Sequence, residues 1–144
     1  MKKVLVLSAS PRRDGNSEIL CRQFMKGAGE AGHETEMIRL YDQKIGFCRA
    51  CYACFRTGTC VLRDDMEEIL AKMREADVLV LSTPTYFLTM NGMMKTFIDR
   101  LLPRWQDLGG HEVRGTIWGE GVWQKGEVRS TKAMEEACQA GRTI

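Results

Sequence analysis

Two apolar runs, Val4-Leu5-Val6-Leu7 and Val78-Leu79-Val80-Leu81, constrain the fold of this chain more than any other feature. Each is short, unbroken and built from valine and leucine, the pattern of a strand buried on both faces of a parallel sheet. Glu34 to Leu40 alternates more and reads as a strand nearer an edge, and Val113 to Trp118 reads as a fourth strand. Helical stripes fall between them. Leu20, Phe24, Ala28 and Ala31 share one face ahead of Gly32, a stop signal. Met66, Ile69, Leu70 and Met73 follow Asp64 and Glu67, which have capping-box spacing. Met90, Met94, Phe97, Ile98 and Leu101 form a third stripe ending near Pro103, and Ala133 to Ala140 a short closing helix. Alternating strands and helices predict an α/β, doubly wound parallel sheet in one domain spanning 1–144.

A chain of 144 residues with 44% hydrophobic and 28% charged residues has globular composition. Its net charge of +2 does not call for a nucleic-acid or anionic-membrane partner. No apolar run approaches the ~20 residues of a membrane span, and the run after Met1-Lys2-Lys3 is too short for a signal peptide. A cytoplasmic, reducing setting is therefore expected. There the six cysteines point to metal or redox chemistry ahead of structural disulfides.

In doubly wound sheets ligands bind at the carboxyl ends of the strands, which directs attention to three loops. The first, Ser8-Ala9-Ser10-Pro11-Arg12-Arg13-Asp14-Gly15-Asn16-Ser17, leads into a helix and is neither a Walker A loop nor a GxGxxG turn. The hydroxyls of Ser8, Ser10 and Ser17, the Asn16 amide, the Arg12 guanidinium and the N–H groups of a helix start suit a phosphate monoester. The same residues also serve an ordinary strand-to-helix turn with Ser17 as cap. In the loop after the third strand, Pro84 stiffens the turn and Tyr86 and Phe87 offer flat apolar surface for a ring, or for a core or subunit interface.

The remaining loop carries Cys48-x-x-Cys51-x-x-Cys54-x5-Cys60 within residues 47–61. Four thiols so close in a loop can wrap a compact iron–sulfur cluster. The same sulfurs could hold zinc, stay as free thiols, or work as a redox Cys-x-x-Cys pair. Cys21 and Cys138 fall on helical stretches and read as small buried apolar residues. His33 and His111 read as surface histidines, and Asp99-Arg100 as a structural pair.

Ser-x-Ser-Pro-Arg-x-x-Gly-Asn-Ser after the first strand, with Thr83-Pro84-Thr85-Tyr86-Phe87 and Met90-Asn91-Gly92-Met93-Met94-Lys95 later, resembles the flavodoxin-like NAD(P)H-dependent FMN reductases and the related iron–sulfur flavoproteins. The resemblance implies FMN, with Ser8, Ser10, Arg12, Asn16 and Ser17 at its phosphate and Pro84, Thr85, Tyr86, Phe87 and Asn91 around its ring. It implies a [4Fe–4S] cluster on Cys48, Cys51, Cys54 and Cys60. It also implies electron transfer from NAD(P)H or a ferredoxin-like donor to a small-molecule acceptor such as a quinone or nitro compound, with the flavin, and no acid–base side chain, carrying the chemistry.

The resemblance runs from Met1 to about Arg104 and resumes near Glu112, so about one βα unit is lacking. Four strands in the order 2-1-3-4 are then expected in place of five, with Val113–Trp118 beside the third strand. The shortened flavin pocket would be weakened, completed by a partner subunit or lost, leaving a clusterless reductase or a non-catalytic binding module as alternatives. An exposed sheet edge and the tail at 109–128, with Trp118 and Trp123 among its glycines, favour a homodimer or homotetramer.

Overall fold

A computed structural model describes residues 1–104 and 112–144. The connector from Trp105 to His111, the reading of His111 as a surface residue and the first glycines of the tail lie outside the described residues.

The elements in chain order are β1 (Lys3–Ser8), α1 (Asn16–Glu30), β2 (Glu34–Arg39), α2 (Ala53–Thr57), α3 (Met66–Glu75) and β3 (Val78–Ser82). There follow β4 (Thr85–Tyr86), β5 (Thr89–Met90), α4 (Gly92–Asp99) and α5 (Ala133–Arg142). β1 is the centre of a parallel sheet ordered β2-β1-β3, with Lys3 opposite Glu34 and Val4 opposite Val78. The alternation within the runs sorts the core into two layers. Leu5, Leu7 and Ile38 pack with Met66, Ile69, Leu70 and Met73 of α3 and Met94 and Phe97 of α4. Val4 and Val6 pack on the opposite face with Cys21, Phe24 and Ala28 of α1 and Ala137 of α5. The sheet is therefore wound on both sides, as expected.

α1 and α5 approach each other on glycine. A Cβ at Gly27 would lie 1.9 Å from the Cys138 carbonyl oxygen, and one at Gly141 would lie 2.1 Å from that of Phe24. Backbone occupies the space a side chain would need, so only glycine permits this crossing.

The fourth strand is corrected. Among the described residues the parallel sheet has three strands, and Val113–Trp118 forms no strand beside β3. Gly115 interrupts the segment and Gly119 and Gly121 follow it closely, and glycine weakens a strand by its backbone entropy and lack of packing. Ile117 and Val122 instead dock against Ile19, Val128 and Ala133, where they cover α1. The order is 2-1-3, and Leu81 of β3 is left half-exposed. Two small elements were not foreseen: the one-turn helix α2 inside the cysteine loop and the β4–β5 hairpin beyond β3. No helix among the described residues is long and apolar enough to cross a membrane.

Candidate functional site

The first loop leaves β1 at Ser8 and turns into α1 through Asp14, in the left-handed region at φ 55°, and Gly15. Gly15 is the residue before α1 and no side chain caps the helix. The expected cap, Ser17, lies inside the helix. A Cβ at Gly15 would sit 3.1 Å from both Cβ and the carbonyl oxygen of Arg12 and 3.3 Å from Ser10 Oγ. The loop thus closes tightly over an uncapped helix start, a cradle that glycine keeps open and that suits an anion.

The sequence-predicted phosphate residues divide by environment. Ser8 and Ser10 are buried, and the Ser8 hydroxyl has no hydrogen-bond partner among the described residues. Ser10 Oγ donates to the Arg12 carbonyl at 3.2 Å, while the Arg12 side chain is exposed. Asn16 is engaged by the tail. Its Nδ2 donates to the Gln124 carbonyl at 2.9 Å, and its Oδ1 accepts from the N–H groups of Gly126 at 2.9 Å and Val128 at 3.3 Å. Glu127 completes that turn by accepting from Trp123 N at 2.7 Å and Gln124 N at 2.9 Å. These amides, Gln124 first, hold the Glu127 carboxyl below its ordinary pKa.

Beneath the loop lies a charged brace that sequence patterning does not expose. Glu18, almost wholly buried, accepts from Arg39 Nε at 3.1 Å and Arg22 Nη2 at 2.6 Å. Arg39 reaches onward to the Ser10 carbonyl at 3.4 Å and to Asp42 at 2.9 Å. A buried carboxylate with two guanidinium partners is a paired charge holding the loop from below.

The ring-loop candidates stand at the end of β3. Asn91 is buried and caps α4: its Oδ1 accepts from Met94 N at 3.0 Å, and its Nδ2 donates to the Ala9 carbonyl at 2.6 Å. It therefore ties this loop to the first. Pro84 is half-buried, and Thr85 and Tyr86 are exposed. At the tip of the β4–β5 hairpin, Phe87 at φ 45° and Leu88 at φ 67° both occupy the left-handed region, and both side chains are almost fully exposed. Two successive residues with positive φ make the mirror-image hairpin turn that usually takes asparagine and glycine. A bulky pair there holds local strain of the kind found at ligand clamps.

The cysteine loop is irregular apart from α2. Ala50, Tyr52 and Gly58 take left-handed backbone, and Tyr52 stacks on Phe55 with ring centroids 5.9 Å apart. Cys48 and Cys51 are exposed, and Cys54 and Cys60 half-buried. The described residues bring no three potential ligands together at one point, so the four thiols share a loop without converging. As a donor set they suit a cluster, since four soft thiolates on a turning backbone are what iron–sulfur ligation uses. Cys21 and Cys138 are buried as expected, and burial raises the Cys21 thiol's pKa above its ordinary value.

Asp99 and Arg100 do not pair with each other. Asp99 pairs with Lys95, whereas Arg100 reaches across to Asp64 at 2.8 and 3.0 Å. Burial pushes the Asp64 carboxyl up, but the Arg100 hydrogen bond and the amides of Gly46 and Met66 outweigh it and hold Asp64 low. His33 is half-buried, with its Nε2 3.1 Å from an Ile144 oxygen.

Residues 2–127 match the family model for NADPH-dependent FMN reductases. The chain belongs to that family. Among its relatives, an iron–sulfur flavoprotein of Archaeoglobus fulgidus is 40% identical over 103 residues, covering 72% of this chain and 46% of the relative. An iron–sulfur flavoprotein of Methanocaldococcus jannaschii is 41% identical over 101 residues, covering 70% of this chain and 52% of the relative. Among solved structures, an NAD(P)H:quinone oxidoreductase from Methanothermobacter marburgensis superposes with a TM-score of 0.59 at 25% identity, covering 69% of this chain and 52% of that one. A flavone reductase gives 0.57 at 31% identity, covering 71% of this chain and 30% of that one. The chain thus spans about half the length of the curated relatives it matches.

Proposed function

We propose that this chain is an FMN-dependent oxidoreductase of the iron–sulfur flavoprotein type, taking electrons from NAD(P)H or a ferredoxin-like donor and delivering them to a quinone, nitro compound or similar small acceptor. The observation that carries this reading is the junction at the carboxyl end of the sheet, where Asn91 ties the ring loop to the phosphate loop through the Ala9 carbonyl. The family match and the iron–sulfur names of the relatives support it.

In this reading Ser10, Arg12, Ser17 and the first N–H groups of α1 hold the FMN phosphate, with Ser8 beneath them. Asn16 acts through the tail, whose Gln124–Val128 turn it fixes beside the loop. Pro84, Thr85, Tyr86 and Phe87 flank the ring, and Asn91 fixes their base. Cys48, Cys51, Cys54 and Cys60 hold a [4Fe–4S] cluster. FMN and the cluster, when bound, supply exchange between two-electron and one-electron transfer, and the chain supplies position and electrostatics. The half-exposed Leu81 on β3 and the exposed Phe87 and Leu88 favour assembly into a dimer or tetramer.

A test is flavin retention in Arg12→Ala/Ser10→Ala, measured by fluorescence after gel filtration in FMN. Marked loss is expected, and unchanged flavin content overturns the phosphate assignment. A second reading, a clusterless NAD(P)H-dependent flavin or quinone reductase, is favoured by the dispersed thiols. Iron and labile-sulfide content of anaerobically purified protein decides between them.

A further inference from the structure

The cysteine loop is closed at its base by hydrogen bonds from outside it. Lys44 and Asp65 join twice, Lys44 N to Asp65 Oδ2 at 2.6 Å and Asp65 N to the Lys44 carbonyl at 3.1 Å. One step further in, Gly46 N donates to Asp64 Oδ2 at 2.9 Å. Arg100, just past the end of α4, locks the inner step. Its Nη1 donates to the Gly46 carbonyl at 2.7 Å and to Asp64 Oδ2 at 2.8 Å, and its Nη2 donates to Asp64 Oδ1 at 3.0 Å. The guanidinium side chain is 1% exposed. Its planar fork matches carboxylate and carbonyl together, which a lysine ammonium cannot reproduce.

One donor of this fork is unspent. Arg100 Nε is buried with no hydrogen-bond partner among the described residues. Leaving such a donor unmade is costly, so it is a feature needing a reason. The Asp64 hydrogen bond, against the effect of burial, holds the Arg100 guanidinium above its ordinary pKa, with smaller contributions from the Asp64 charge and from neighbouring Cys60. α4 meanwhile begins at Asn91, which holds the Ala9 carbonyl of the phosphate loop. One short helix thus has a hydrogen-bonded hold on the flavin loops at its start and on the cysteine loop at its end.

We propose that Arg100 is the positioning residue of the cysteine loop, clasping its two ends through Gly46 and Asp64 and keeping its buried Nε–H as a donor for the sulfur side of the loop. The clasp stands on geometry alone, while the sulfur-directed role rests on the cluster reading above. A cation held beside the ligands favours the more negative, reduced form of a cluster and so raises its potential.

The test uses the full chain as wild type, Arg100→Lys, Arg100→Gln and the double variant Asp64→Asn/Arg100→Gln. The double variant removes both charges, so no carboxylate is left buried without a partner. In metal-free protein, trypsin should cut at Arg49, Arg56 and Arg63 at least ~10-fold faster in all three variants, with cleavage at Lys132 unchanged, because loop opening limits the cut. Rates within twofold of wild type in the double variant overturn the clasp. After iron–sulfide reconstitution, Arg100→Gln should lower the cluster's midpoint potential, and Arg100→Lys should keep it near wild type while losing iron faster to a chelator. An unchanged potential and unchanged iron loss in Arg100→Gln overturn the sulfur-directed role. Wild-type protein that takes up no iron overturns both the cluster reading and that role, and the tryptic rates then decide the clasp alone.

Discussion

The side-chain amide of Asn91 donates to the main-chain carbonyl of Ala9 at 2.6 Å, joining residues 82 positions apart. Both groups lie at the carboxyl end of the sheet, one in each loop proposed to hold the flavin. The bond is buried, and Asn91 also caps α4 through Met94 N. Asn91→Ala is expected to cost about 1–3 kcal/mol for the broken buried bond, with a further ~1 kcal/mol for the lost cap. FMN affinity should fall with it. Denaturant unfolding and a flavin fluorescence titration of the same variant measure the two effects.

The α1–α5 crossing predicts a purely steric loss. Gly27→Ala places a methyl group 1.9 Å from the Cys138 carbonyl oxygen, so the helices must separate. Overpacking of this kind costs about 1–3 kcal/mol. Gly29→Ala, where an added Cβ meets nothing within 4 Å, is the control and should leave stability unchanged or slightly raised. Thermal unfolding of the two variants side by side checks the contrast.

Thiol accessibility separates the two classes of cysteine. In reduced, metal-free protein a disulfide-exchange reagent should titrate Cys48, Cys51, Cys54 and Cys60 quickly. Cys21 and Cys138 should react only on unfolding, because both are buried. Mass mapping of the labelled sites identifies which thiols reacted.

Acid should loosen the tail before it unfolds the sheet. The Glu127 carboxyl is held low by the Gln124 and Trp123 amides, so its folded pKa lies below the unfolded value of about 4.3. A depressed pKa means a contribution present above the unfolded value and lost as pH falls through the folded one. Trp123 emission should therefore shift as pH falls below the unfolded glutamate value of about 4.3, while far-ultraviolet circular dichroism holds. The shift should be absent in Glu127→Gln.

The residues that made the fold legible were those whose neighbours in sequence set their environment. Val4–Leu7 and Val78–Leu81 announce buried parallel strands because both faces of each are apolar, and β1 and β3 lie there. Gly32 marks the end of α1 because its φ of 81° suits glycine. Val113–Trp118 misled because its apolar residues fit a strand pattern, while the packing of Ile117 and Val122 against the α1 side is a tertiary choice. The same limit hid Arg100 with Asp64, 36 residues apart, and the Glu18–Arg39 brace, since no local spacing records a partner on another element. Asn16 was legible as a polar residue at a helix start, but its engagement with Gln124, Gly126 and Val128 depends on where the tail settles.

The most direct test of the central claim, that the joined loops at the carboxyl end of the sheet hold FMN beside an iron–sulfur loop, is an ultraviolet–visible spectrum of anaerobically purified protein before and after dithionite. Flavin bands over a broad absorbance, both bleached on reduction, are the predicted result. A protein that stays colourless after incubation with FMN, iron and sulfide would contradict the account.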